Sequence, residues 1–373
     1  MLKGITLLPV ELSQQESISI YKKLARVNKK IGKLDMLFSR SVINTSLLSL
    51  LSFNESVQST RIEGTQVTFH EVMEIKTDKN ISWQQQEVFN YKKAIDFGFD
   101  EIKKGIPLST RLLKEIHTIL MTEARGTRSN GGEFRKIQNF IGPDNNIENA
   151  SYIPVSANRI PEYMTNLEYF INGLPHQSFD HENEIGYEAV TYDSDSLLRI
   201  AVSHAQFESI HPFLDGNGRL GRILIALMAV QEKVISLPVF FVSEELEKER
   251  IRYYNSLNAT RGDNPNWALW LNFFLDASER MADNLIKKVE NAEEVMKEGL
   301  KYCKTRSQKD AWIATFQLPI ITVNELKVEL GVHYNTAQSA LNHLVSNNLL
   351  DKDQSVKRNI KYYNYELLRA ISN

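Results

Sequence analysis

Twelve residues past the middle of the chain, HPFLDGNGRLGR (211–222), concentrate the side chains that could do chemistry. His211 offers an imidazole that can take a proton from an attacking hydroxyl near neutral pH. Asp215 is a carboxylate where phosphate would be repelled, unless a divalent ion such as Mg²⁺ lies between them. Gly216 and Gly218 lack Cβ atoms, so a phosphate can come close to their backbone. Arg219 and Arg222 lie three apart, share a helical face, and can each grip a phosphate bidentately. The apolar run RILIALMAV that follows makes GNGR the opening of a helix. Its unpaired N–H groups and partial positive charge suit an anion. Singly, a GxGR turn, a His before Pro or two arginines on a helix are ordinary structural features. Together they supply base, metal ligand, anion cradle and two cationic clamps, the parts that transfer from a nucleotide requires.

The elements that must position these residues read as helices. Apolar residues recur at helical spacing in 47–62, 110–121, 160–173, 196–210, 222–235 and 267–300. Between the second and third lies a Gly-, Asn-, Ser- and Pro-rich stretch, 126–159, with two short alternating pieces, KIQNFIG and ASYIPV. That pattern predicts a β-hairpin on a long loop of the kind that carries function. The alternating charges of 278–300 predict a solvated connecting helix. After it, Thr322 and Glu325 form a capping-box pattern and Gly331 a helix stop; a second amphipathic helix and a two-stranded wing follow, a winged helix-turn-helix pattern.

The 373 residues exceed one core of usual size, so two or three domains are expected. The net charge of −2 shows no global basic excess for nucleic acid. Cys303 stands alone, which fits a reducing compartment. The first residues, MLKGITLLPVELSQQ, have too short an apolar run for a signal peptide. No run of about 18 apolar residues predicts a membrane span. The expected location is the cytoplasm.

HPFLDGNGRLGR matches the Fic-domain motif HPFx[D/E]GNGRxxR at every defined position, and GGEFRKIQNFIG with ASYIPV resembles the family's flap. The resemblance runs over about residues 90–280. It implies a mainly α fold: a Fic helical core with a small β-hairpin flap, joined here to the winged helix. The implied divisions are 1–105 (N-terminal helical region), 106–280 (catalytic core), 281–305 (linker helix) and 306–373 (winged helix). The implied activity is AMP transfer from Mg-ATP to a Ser, Thr or Tyr hydroxyl of a protein, this chain included. His211 would be the base, and Asp215 would hold Mg²⁺. Gly216, Asn217, Gly218 and Arg219 would bind the inner phosphates and Arg222 the γ-phosphate. The flap at Asn149, Ala150, Ser151 and Tyr152 would hold the acceptor segment, and Tyr254 would line the adenine pocket. Kinase-type relatives replace the two motif glycines, so Gly216 and Gly218 favour nucleotidyl transfer; UMP or phosphocholine transfer, and removal of AMP, stay open.

A second signal precedes the core. Ser59 and Glu63 are four apart, on one helical face, with Gly64 as the stop. STRIEG resembles the family's inhibitory motif [S/T]xxxE[G/N], which implies that Glu63 pairs with Arg222 and silences the enzyme. His204 reads as a core histidine; His117 and His176 give no signal. From Ile320 to Asn373 six Lys/Arg face five Asp/Glu, so the tail is expected to favour protein over DNA, with DNA and a homodimer left open. The rival reading is a transcriptional regulator with a nucleotide-sensing core; an intact base at His211 argues for the enzyme.

Overall fold

The computed structural model describes residues 2–74, 81–123, 131–142, 146–176 and 189–372. The expected loop of 126–159 therefore lies in part outside the described residues. The helices are α1 (Gln14–Arg40), α2 (Asn44–Ile62), α3 (Phe69–Glu74), α4 (Trp83–Lys103), α5 (Thr110–Leu120), α6 (Ile160–Ile171), α7 (Ser196–Ile210), α8 (Asn217–Gln231), α9 (Ser243–Lys248), α10 (Arg250–Asn258), α11 (Trp267–Tyr302), α12 (Arg306–Ala314), α13 (Val323–Leu330), α14 (Tyr334–Ser346) and α15 (Tyr365–Ser372). The strands are short: β1 (Leu2–Lys3), β2 (Val10–Glu11), β3 (Tyr152–Ile153), β4 (Ala189–Val190), β5 (Ile320–Thr322), β6 (Asp351–Lys352) and β7 (Lys361–Tyr363). The mainly α expectation holds.

Backbone contacts divide the chain into two units that interleave along the sequence. One comprises residues 1–32, 58–66 and 82–282; the other 33–57, 67–81 and 283–373. In the first, α7 packs against α6 and α8, and α4 against α5 and α8. Helix α7 is buried from Leu197 to Ile210 and α8 over most of its length. Helices buried on nearly every side sit at the centre of the unit's core, their polar side chains buried with them, and these two carry the motif between them. Asp195 caps α7 by accepting from Leu197 N–H, and the helix ends at His211, whose backbone is left-handed (φ 49°).

The flap differs from the sequence expectation. Among the described residues the hairpin is one antiparallel bridge, Ile141 to Tyr152, and β3 takes β1 as a parallel neighbour. Leu2 N–H donates to Ser151 O and Gly4 N–H to Ile153 O. β3 thus has backbone partners on both sides.

In the second unit α12, α13 and α14 pack together beside a three-stranded antiparallel sheet of order β5–β7–β6. Thr322 and Glu325 form the expected capping box, and Gly331 ends α13 at φ 62°. The expected 281–305 linker falls mostly within the unbroken helix α11.

Candidate active site

Helix α8 starts where the sequence places it. Gly216 is its N-cap at φ 77°, a conformation that favours glycine. A Cβ there would stand 2.9 Å from Met121 Sδ and 3.2 Å from His117 Nε2. The first backbone bond of the helix runs from Leu220 N–H to Gly216 O. The N–H groups of Asn217, Gly218 and Arg219 precede it and have no carbonyl of the helix to meet. The Asn217 side chain, buried, accepts from Phe213 N–H and donates to Phe213 O, both at 2.9 Å. It therefore ties the loop to the helix and leaves only its main chain for an anion.

The two motif arginines part company. Arg219 is buried beside Glu87 (3.3 Å) and Asp215 (3.4 Å). Arg222, also buried, turns to the end of α2. Its Nε donates to Ser59 Oγ at 2.7 Å, and its Nη2 donates to Ser59 O at 3.0 Å and Glu63 Oε1 at 2.5 Å. Burial pushes the Glu63 carboxyl up, but the Arg222 charge and hydrogen bond outweigh it and hold the carboxyl below the usual range. Glu63 also stands over the cradle: a Cβ on Gly218 would meet its Oε1 at 2.3 Å.

The loop between α7 and α8 is held by side chains from outside the motif. Arg135 Nε donates to His211 O at 2.9 Å, its Nη2 to Val155 O and Ile210 O, and its Nη1 to Ile137 O at 3.1 Å. Its own N–H donates to Pro212 O. Asn139 Nδ2 donates to Phe213 O at 3.3 Å. His117 Nδ1 accepts from Gly132 N–H, so its Nε2 carries the proton and donates to Asp215 O at 2.9 Å. His211 is held neutral: burial and then the Arg261 and Arg135 charges push its pKa down to about 4. Its Nδ1 faces Glu208 O at 3.4 Å, which turns Nε2 away from the helix.

His211, Gly218, Arg222 and Glu63 line one cavity of about 390 Å³ with Glu208 and Arg261. Tyr254 forms part of its wall, and Ile141, Gly142 and Ser151 its flap side. Asp215, Gly216, Asn217 and Arg219 surround the same helix end outside that lining.

A family model described as Fic/DOC family matches residues 107–229, and one described as Fic/DOC family N-terminal matches 21–100. The chain belongs to the Fic/DOC family. The Fic chain is 23% identical over 240 residues to the protein adenylyltransferase Fic of Drosophila grimshawi, and 24% over 240 residues to that of Drosophila melanogaster. These alignments cover 62% of this chain and 42% and 41% of those proteins, so the chain spans less than half the length of the curated relatives it matches. A Fic family protein from Desulfovibrio desulfuricans G20 shares the fold at TM-score 0.54 and 19% identity, over 92% of this chain and 95% of that one. Fic-1 (residues 134–508) from C. elegans does so at TM-score 0.52 and 20% identity, over 72% of each chain.

The other sequence expectations fare unevenly in this Fic structure. His204 is a core histidine, fully buried between Gly221 O and Tyr253 OH at 2.9 Å each. His117, given no role from sequence, fixes the Asp215 loop. Tyr152 is fully buried, its OH donating to Ser209 O at 2.7 Å and its ring under Arg261. Its side chain is a core element, while Ser151 is the residue of Asn149–Tyr152 that reaches the cavity. Arg135, Glu208 and Arg261 were missed altogether. Arginine followed by no periodic pattern carries no signal of which carbonyls it will meet, and Glu208 is one of several buried polar residues on α7, with Arg199, His204 and Gln206. Among the described residues no three His, Cys, Asp or Glu side chains form a metal cage. No helix among them is long and apolar enough to cross a membrane.

Proposed function

We propose that this Fic chain is a self-inhibited protein adenylyltransferase, moving AMP from ATP to a Ser, Thr or Tyr hydroxyl and releasing pyrophosphate. The observation that carries it is the shared cavity in which a neutral His211, the Gly218 backbone and Arg222 converge, with Glu63 lying where an outer phosphate would sit. The relatives named adenylyltransferase support the choice of ATP.

His211 Nε2 takes the proton of the acceptor hydroxyl as its oxygen attacks the α-phosphorus in line. The bond from that phosphorus to the bridging oxygen breaks, and pyrophosphate carries away the electron pair. The N–H groups at the start of α8 receive the inner phosphates, and Arg222 the terminal one. Tyr254, with its ring on the cavity wall, faces the base. Mg²⁺ would neutralise charge on the leaving phosphates. Asp215 suits it: a half-exposed carboxylate beside the anion-binding helix end, and one protein ligand is what a nucleotide-borne Mg²⁺ needs.

Glu63 and a terminal phosphate compete for one guanidinium, so the resting protein is largely silent. Radiolabel transfer from ATP to protein tests this. Glu63→Gly is expected to label far more strongly than the unmodified chain. Equal labelling by the two would remove the brake from the account.

A further inference from the structure

Glu208 is a carboxyl with no use in the scheme above. It lies on the last turn of α7, buried, with Oε1 free of any hydrogen-bond partner, yet it lines the cavity that holds Arg222 and Glu63. Gly221 leaves room for it: a Cβ at that position would stand 2.3 Å from Glu208 Oε1. A buried carboxyl oxygen without a partner is costly to keep, so an occasional partner is expected. The charged and titratable groups facing it are Arg222 from α8, Glu63 from the end of α2, Arg261 after α10, Tyr253 on α10 and His204 on its own helix.

We propose that Glu208 is the second counter-ion of Arg222, a positioning residue that stays protonated while another anion sits on the guanidinium and ionises when none does. The argument rests on the reading of Glu63 as a brake and of Arg222 as its target. Arg222 is buried and permanently charged, and a buried cation without an anion is strongly disfavoured. With Glu63 engaged that need is met, and a second negative charge would repel the first. Burial first, and Glu63 among the charges, raise Glu208 to about 7 against the pull of Arg222 and Arg261. When Glu63 withdraws, its repulsion ends and Arg222 keeps only the neutral oxygens of Ser59 and lacks an anion. Glu208 then gives up its proton and holds the guanidinium in place for the incoming nucleotide. A terminal phosphate on Arg222 reverses the exchange, and Glu208 takes a proton back.

Two measurements test this on the full chain. In protein carrying ¹³C-labelled glutamate carboxyls, one resonance is expected to titrate near neutrality in the unmodified chain. Glu63→Gly should move its midpoint down by about one pH unit or more, and Glu208→Gln should remove it. A midpoint unmoved by Glu63→Gly, or the absence of any near-neutral titration, would overturn the proposal, and neither result depends on nucleotide binding or on how Glu208→Gln folds. Mg-ATP titrated calorimetrically into Glu63→Gly at pH 7, in two buffers of different ionisation enthalpy, should show proton uptake that Glu63→Gly/Glu208→Gln lacks. Equal uptake by both counts against Glu208. A failure of Glu63→Gly to bind Mg-ATP, with the carboxyl titrating as expected, would instead strike the nucleotide reading and leave the counter-ion exchange standing.

Discussion

At the residue scale the proposed chemistry turns on a histidine that is neutral before substrate arrives. Burial, Arg261 and Arg135 lower the His211 pKa to about 4. A base works only when unprotonated, so activity should be lost as pH falls through that value, and not near the ordinary 6.5. Glu63 is among the groups that raise it, so the acid limb of kcat/KM in Glu63→Gly should lie at or below about pH 4. An acid limb near 6.5 would contradict the assignment. In that same background His211→Ala should lower the transfer rate by about 10²–10⁴-fold, the usual worth of a general base. The sequence announced this residue because its motif is long and its side-chain types are rare together. It could not announce the pKa, which is set first by burial and then by Arg261 and Arg135, far away along the chain.

At the scale of elements, α7 and α8 were legible from apolar periodicity, and their junction from the glycines and the apolar run that follows them. What holds the junction was not. Arg135 spans from the flap carbonyls of Ile137 and Val155 to those of Ile210 and His211, and no spacing rule predicts contacts between backbone oxygens and a side chain about 75 residues away. Displacing a base by about 1 Å can cost a hundredfold. Arg135→Lys, which can keep only part of that fork, should lower kcat by that order in Glu63→Gly while ATP affinity is retained. A loss of affinity with kcat unchanged would argue against the role. The flap is the element read least well: alternation in KIQNFIG and ASYIPV suggested a hairpin, but among the described residues the pairing is a single bridge at Ile141 and Tyr152, with β1 on the other edge of β3. Packing of α7 on α8 makes its own prediction. Gly221→Ala places a methyl group against Glu208 and His204. It should destabilise by about 1–3 kcal/mol, read as a lower midpoint in thermal or denaturant unfolding; unchanged stability would mean the helices separate easily there.

At the scale of the whole molecule, the chain carries two units whose segments alternate along the sequence, an arrangement that periodicity cannot disclose because it depends on which distant helices meet. The segment 58–66, which carries Ser59 and Glu63, clusters with α7 and α8, whereas 33–57 and 67–81 on either side of it cluster with the C-terminal segment 283–373. In that segment the bounds of α13 were legible from the capping box of Thr322 and Glu325 and from Gly331, whereas α12, α15 and the pairing of β5 with β7 were not. Helix α14 contains no Lys or Arg, and Lys361 of β7 already donates to Glu74 O. With six Lys/Arg offset by five Asp/Glu over 320–373, little net positive charge is left to displace counterions from phosphate, and the full chain should not retard a generic DNA duplex at physiological salt in a mobility-shift assay; retardation there would favour a DNA partner. The account as a whole rests on what the cavity beside α8 transfers, and intact-mass analysis reads that most directly. After incubation of Glu63→Gly with Mg²⁺ and each nucleoside triphosphate in turn, the mass of one or more AMP groups should appear with ATP, and disappear in Glu63→Gly/His211→Ala. No gain with any triphosphate, or a gain that persists without His211, would contradict the account.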